Sequence, residues 1–334
     1  MKSPGKIKLT VCILAFAGAA LFTILIIRQG AGPVGAAVAT AGWGISAVVA
    51  WHFIPLLLDT LAWGALFPQV SRPRWGSLLW MRWIGESIST LLPSVQIGGD
   101  IVRARLAAIR GASLPIAGST VLVDITLSIF VQVAFTLLGL VLLVGATGQT
   151  SFARPALFGS LVGILAIGGF YFVQRHGMFR FIGAVVSRMA KSPDWHSLTQ
   201  GGGRLDEAVR DTYARRRGVA ACCMWTLLSF VLGSGEIWIA LHAMHLPATV
   251  ASALILESTR FAVRSAMFPV PGALGVQEGG YLVVGNLLGI PGETAFALSL
   301  IERARELAVG IPALITWQLI EGRRLLRARS TAEG

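Results

Sequence analysis

Charge is scarce in this sequence. Asp, Glu, Lys and Arg make up 13% of 334 residues, against roughly a quarter in an average soluble domain. Acids are scarcer still, 16 against 28 Lys and Arg, for a formal net charge of +12. Only three cysteines occur, Cys12, Cys222 and Cys223, all inside apolar stretches. That placement excludes a disulfide framework or a thiolate metal site and leaves them as small hydrophobes. The sequence also lacks a Gly-rich phosphate loop, a His-Glu-x-x-His zinc helix and a nucleophile elbow. No enzyme, cofactor or metal is expected from such a chain, and its longest polar stretch, Gln174 to Gly218, is near the lower size limit for an independent domain.

What is plentiful is apolar sequence, 54% of the residues, gathered into long blocks. A bilayer core takes about 20 apolar residues per helix, because every backbone amide must be satisfied within the segment once water is gone. Full spans are expected at Leu9 to Ile27, Trp43 to Phe67, Ile116 to Val144, Ala156 to Val173, Val219 to Leu241 and Phe296 to Leu319. The first run is too long for a cleaved signal core, and its small residues lie mid-run, so it reads as an uncleaved span. Two further apolar stretches, Trp75 to Ala108 and Ala251 to Ile290, carry charges and are interrupted by Pro and Gly. They read as broken or re-entrant segments, tolerated only where protein or a cavity surrounds them. The expected fold is an all-α integral membrane protein with about six full transmembrane helices and two broken segments.

The basic residues lie between apolar blocks and not over an aromatic-rich soluble face, which argues against nucleic acid as a partner. Arg72, Arg74, the cluster from Arg175 to Arg217 and Arg323 to Arg329 fall in alternate loops. Retention of Lys and Arg on the cytoplasmic side then puts both termini inside. In the loop 175–217 the spacing of Leu205, Val209 and Tyr213 allows either a short amphipathic helix on the membrane surface or a solvated basic loop.

An internal repeat organises the whole chain. Pro93 and Pro271, Asp100 and Glu278, Gly111 and Gly289, and Asp124 and Glu302 are each 178 residues apart (302 minus 124, for instance). The same offset carries the second span onto the fifth. With three spans and one broken segment per unit, the second unit is turned upside down, an inverted-topology repeat of the kind many secondary transporters use. Expected boundaries are 1–150 for the first unit, 151–174 for the first span of the second, 175–217 for the basic loop, 218–322 for the remainder and 323–334 for a cytoplasmic tail, all one membrane domain.

Polar chemistry concentrates at the breaks. Pro93, Gly98 and Gly99 in the first and Pro271, Gly272 and Gly275 in the second are expected to open the helix and expose backbone groups. Asp100 and Arg103, three apart on one face, either bind a headgroup or neutralise each other. Gln277 and Glu278 supply the polar contacts of the second break. Upstream of it Glu257, Arg260 and Arg264 share a helical face on the outer side, where arginines are disfavoured; a buried ion pair or an anionic headgroup would offset them. In the last span Glu302, Arg303, Arg305 and Glu306 must be paired or water-lined, since one charge at mid-bilayer costs at least about 2.5 kcal/mol. Asp124, Asp59, His52 and Glu236 stand as lone intramembrane polar groups, each a proton relay or an interhelical contact, with contact the reading for His52.

The run Leu92, Pro93 to Arg103 resembles the N-x-L-P-x-x-x-G-G-D-x-x-R signature of the lysylphosphatidylglycerol synthase transmembrane, or flippase-like, family, with Ser89 or Thr90 where that family has Asn. The block Pro269, Pro271, Gly272, Gly275 to Gly279, then Glu302 to Glu306, resembles its hopanoid-biosynthesis-associated branch. The resemblance covers most of the chain and implies a bacterial inner-membrane protein similar to the flippase half of aminoacyl-phospholipid synthases, without their cytosolic transferase domain. Asp100, Arg103, Glu278, Glu302 and Arg303 carry the family pattern. The reading that follows is a translocase of a polar or anionic lipid, hopanoid-related on the strength of the resemblance. Asp100, Arg103, Arg260, Arg264, Gln277, Glu278, Glu302 and Arg303 would bind its headgroup, and Asp124 or Glu278 would couple an ion. Membrane lipids are the expected partners. The rival is a non-transporting scaffold that presents lipid precursors to a biosynthetic enzyme; an intramembrane transferase ranks last.

Overall fold

The computed structural model describes residues 23–25, 27–92, 98–148, 153–178, 195–267 and 273–330, and among these the regular structure is all helical. In chain order the helices are α1 (Ala31–Ala41), α2 (Gly44–Ala65), α3 (Trp75–Leu91), α4 (Gly98–Ile109), α5 (Leu114–Thr147), α6 (Ala153–Arg175), α7 (Trp195–Ala214), α8 (Arg216–Ala243), α9 (Val250–Ala266), α10 (Val276–Leu287) and α11 (Gly292–Ser330).

Local sequence explains the boundaries. Pro115 sits in the first turn of α5, where a missing amide hydrogen costs nothing, and Gly148 ends that helix at φ 67°. Thr249 caps α9 by accepting from the Ser252 amide at 3.1 Å. Pro55 deprives the middle of α2 of one amide hydrogen, and Ser229 of α8 donates to the Pro55 carbonyl at 3.2 Å. Helices α4 and α10 have 12 residues each, about 18 Å at 1.5 Å per residue, too short for a bilayer core of about 30 Å.

Among the described residues four helices are long and apolar enough to cross a membrane: α2, α5, α8 and, from Leu157, α6; a fifth appears if Thr23–Gln29 and α1 form one bent span. These four cover the expected second to fifth spans. The expected first span lies almost wholly outside the described residues. The expected sixth falls within α11, which is not among the four. Each expected broken segment is a pair of helices, α3 with α4 and α9 with α10; Pro93, Pro271 and Gly272 lie outside the described residues.

Helices α2 and α8 form the most extensive pair. They run antiparallel: Gly44 meets Ala243 at one end, Gly218 meets the Ala65 carbonyl at the other, and Trp51 Nε1 donates to the Leu232 carbonyl at 2.7 Å between them. Around this pair α3 packs on α11 and α5 on α9, while α4 bridges α3 to α5 and α10 bridges α9 to α11. The 178-residue offset recurs in the element boundaries. Both ends of α4 map onto those of α10, the start of α5 onto that of α11, and the end of α2 onto that of α8. It recurs in the core, where Leu78 and Leu256, Leu106 and Val284, Ala117 and Ala295, and Val123 and Ile301 are all buried.

The stretch from Leu205 to Tyr213 is helical, but its apolar face is not offered to a membrane surface. In α7 Val209 and Tyr213 are buried against α5, and Tyr213 donates to Gln174 Oε1 at 2.8 Å while Gln174 Nε2 reaches Thr126 at 3.0 Å. Side chains on α5 offered a closer apolar partner than lipid.

Candidate functional site

Twelve charged side chains converge on one cavity of about 340 Å³ between α2, α3, α4, α5, α8, α9 and α11. Its wall holds Arg82, Arg103, Arg260, Arg264 and Arg305 against Asp59, Glu86, Asp100, Asp124, Glu236, Glu257 and Glu306, with His52 among them. Seven carboxylates face five guanidiniums, so with His52 neutral the lining carries two negative charges in excess.

On the α2–α5 side the acids and arginines interlock. Arg82 reaches Asp59 at 3.0 Å and Asp124 at 2.9 Å; Arg103 reaches Asp124 at 2.7 Å and Asp100 at 2.9 Å. The Arg103 guanidinium also lies 4.7 Å from the ring centre of Trp63. The helices that bring them together cross closely: a side chain at Gly99 of α4 would overlap the Gly85 carbonyl of α3. On the other side Arg260 pairs with Glu257 and lies 3.7 Å from Glu302, Arg264 lies 3.1 Å from Glu306, and Arg305 lies 3.0 Å from Glu236. His52 spans the two sides, 3.1 Å from Glu86 and 2.9 Å from Glu236. A guanidinium in a low-dielectric interior is tolerable only with this kind of pairing.

Asp100, Arg103, Asp124, Arg260 and Arg264 thus line the cavity. Gln277, Glu278, Glu302 and Arg303 form a layer behind it. Gln277 donates to Glu302 at 3.1 Å, and Arg303 links Glu278 at 3.3 Å to Glu306 at 3.2 Å. The reason is that α10 presses this face against α11, leaving Glu278 with no exposed surface. Gly98 and Gly99 stand in the first turn of α4, where Gly99 permits close packing; Gly275 precedes α10 at φ 78°. The arginines expected on the outer side are offset by buried ion pairs, and Asp59, His52, Asp124 and Glu236 are all members of the network.

Sequence reasoning passed over Arg82 and Glu86. For Arg82 the signal was present: it stands 178 residues before Arg260. Arg82 holds Asp124 and Arg260 holds Glu302, so one ion pair recurs at equivalent positions.

Compared with models of protein families, the chain matches the lysylphosphatidylglycerol synthase TM region over residues 12–313. A search of the curated proteins and one of the solved structures return no match. A match over that much of the chain shows where it falls: it belongs to the lysylphosphatidylglycerol synthase TM-region family, a family of lipid-handling membrane proteins.

Proposed function

We propose that the protein is a lipid translocase of a bacterial inner membrane that carries a polar headgroup through the cavity between two inverted units. The observation that carries this reading is the cavity itself: both halves of the chain send charged side chains into one space among apolar helices. A headgroup crossing a bilayer needs such a polar path, because the hydrocarbon core offers its charges no partner. In this reading α11 and the first span complete a set of six, α3–α4 and α9–α10 are re-entrant pairs, and both termini are cytoplasmic. The matching boundaries of α4 and α10 and the antiparallel α2 and α8 support the inversion, since equivalent helices of inverted units run in opposite directions.

The charge balance favours one class of headgroup. Seven carboxylates and five arginines suit a head that brings a cationic group along with its phosphate, the ammonium facing acids such as Asp100 and the phosphate taking a bidentate arginine. A purely anionic head meets an excess of like charge. Chemistry at the cavity is binding and release, with no covalent step. A hopanoid link rests on the resemblance of the Pro269 to Glu306 block alone.

The test is transbilayer movement of labelled lipids in liposomes holding the purified protein, with zwitterionic, aminoacylated, anionic and hopanoid lipids compared. Movement fastest for the amine-bearing lipids is expected. No movement of any lipid by folded protein would overturn the reading in favour of a scaffold for a lipid-biosynthetic enzyme.

A further inference from the structure

His52 of α2 is held between carboxylates of two other helices. Its Nδ1 lies 2.9 Å from Glu236 Oε1 of α8 and its Nε2 3.1 Å from Glu86 Oε1 of α3. A neutral imidazole has one N–H and one lone pair. Between two ionised carboxylates it satisfies one and turns its lone pair on the other. The arrangement is complete only with one more proton, on the ring or on an acid.

The two acids are not equivalent. Glu236 is also held by Arg305 of α11 at 3.0 Å and is nearly inaccessible, whereas Glu86 is 32% exposed and has His52 as its ion-pair partner among the described residues. The other charged groups turned to the cavity from helices packed on α2 are Arg82 of α3, Asp124 of α5 and Glu306 of α11, with Asp59 on α2 itself. Each of these is engaged in an arginine–carboxylate pair. His52 is therefore the titratable cavity group that faces two carboxylates and is not itself a member of an arginine–carboxylate pair.

His52 and Glu86 also border two spaces. With Thr90, Arg305 and Glu306 they line both the main cavity and a chamber of about 10 Å³ completed by Ser87, Val309 and Gly310, about the least that admits one water. A proton that reaches this pair from the main cavity thus meets a second space beside the same two side chains.

We propose that His52 and Glu86 form the proton-binding site that couples lipid movement to a proton gradient, an inference that rests on the translocase reading. A hydronium ion in the main cavity transfers a proton to Glu86 or to His52 Nε2; its O–H bond breaks as the new bond forms, and neutral water is left. The proton leaves to a second water beside the pair, which becomes hydronium in turn. Bound, it lets His52 bond Glu86 and Glu236 together and latches α3 to α2 and α8. Lost, it leaves two anions facing one N–H, and the hold of α3 on α2 falls back on the Arg82–Asp59 pair. Asp124 and Glu278 differ from this pair in that each is already paired with an arginine, Asp124 with Arg82 and Arg103 and Glu278 with Arg303.

The experiment measures the leaflet distribution of the amine-bearing lipid in liposomes under an imposed pH difference. For one proton per lipid, a difference of one unit drives the leaflet ratio toward about tenfold. Wild type is expected to accumulate lipid in one leaflet, and His52→Gln to lose that accumulation. His52→Lys, which keeps a fixed charge between the acids, should lose it too and serves if the Gln variant does not fold. Lipid movement by wild type that ignores the pH difference overturns the proton site and leaves the translocase standing. If no lipid moves at all, proton release on adding lipid to the detergent-solubilised protein decides. Release in wild type that is absent in His52→Gln retains the site, and no release removes it.

Discussion

Arg82 and Arg260 stand 178 residues apart, and each holds an acid that stands 178 residues from the acid held by the other: Asp124 at 2.9 Å from Arg82, Glu302 at 3.7 Å from Arg260. Two arginines on equivalent helices, α3 and α9, thus clamp two acids on equivalent helices, α5 and α11. Each clamp ties a helix of a broken pair to the long helix that follows it. In a protein that exposes its cavity first to one side and then to the other, these are the contacts whose strength sets how easily each pair swings.

Arg82→Gln deprives Asp59 of its arginine and Asp124 of one of two. Breaking a buried pair by removing one partner costs roughly 3–5 kcal/mol, and the partial opening of this one to the cavity lowers that figure. The expected result is a clear fall in the midpoint of thermal unfolding in detergent. Adding Asp59→Asn should recover part of the loss by removing the stranded charge. An unchanged midpoint in the single variant would show that Arg82 is solvated through the cavity and not clamped.

Much of the architecture is legible in composition alone, because α2, α5, α6 and α8 need only length and apolarity to be recognised. The Asp100–Arg103 pair is legible too, being local to one helix face. What the sequence hides is pairing between helices. Asp124 and His52 look solitary along the chain, and only packing reveals that one serves two arginines and the other two acids. Gln277, Glu278 and Arg303 have the residue types of a binding site, yet Gln277 and Glu278 of α10 and Arg303 of α11 meet where those two helices pack, behind the cavity wall. Tyr213 and Val209 have the spacing of a membrane-surface helix, but a protein surface on α5 takes that face first.

The proposed inversion of the two units has a direct consequence for labelling. Ser113 and Pro291 are 178 residues apart, both are exposed, and they lie immediately before α5 and α11. In inverted units they face opposite sides of the membrane. With Cys12, Cys222 and Cys223 replaced by Ser, Ser113→Cys should react with an impermeant maleimide only from the cytoplasmic side, and Pro291→Cys only from the outside. Reaction of both from one side would mean parallel units.

Glu278 separates a structural acid from a coupling acid. The sequence alone suggests that Glu278→Gln impairs lipid movement more than folding. Its place in the fold argues otherwise: the side chain has no exposed surface, and its charge serves Arg303, which also holds Glu306 at 3.2 Å. Without that charge, Arg303 draws harder on Glu306, the acid that Arg264 uses at the cavity wall. Melting temperature and lipid movement should therefore fall together in Glu278→Gln, and the remaining movement should still respond to a pH difference, since His52 is untouched. A variant that melts like wild type but no longer responds would move the coupling role from His52 to Glu278.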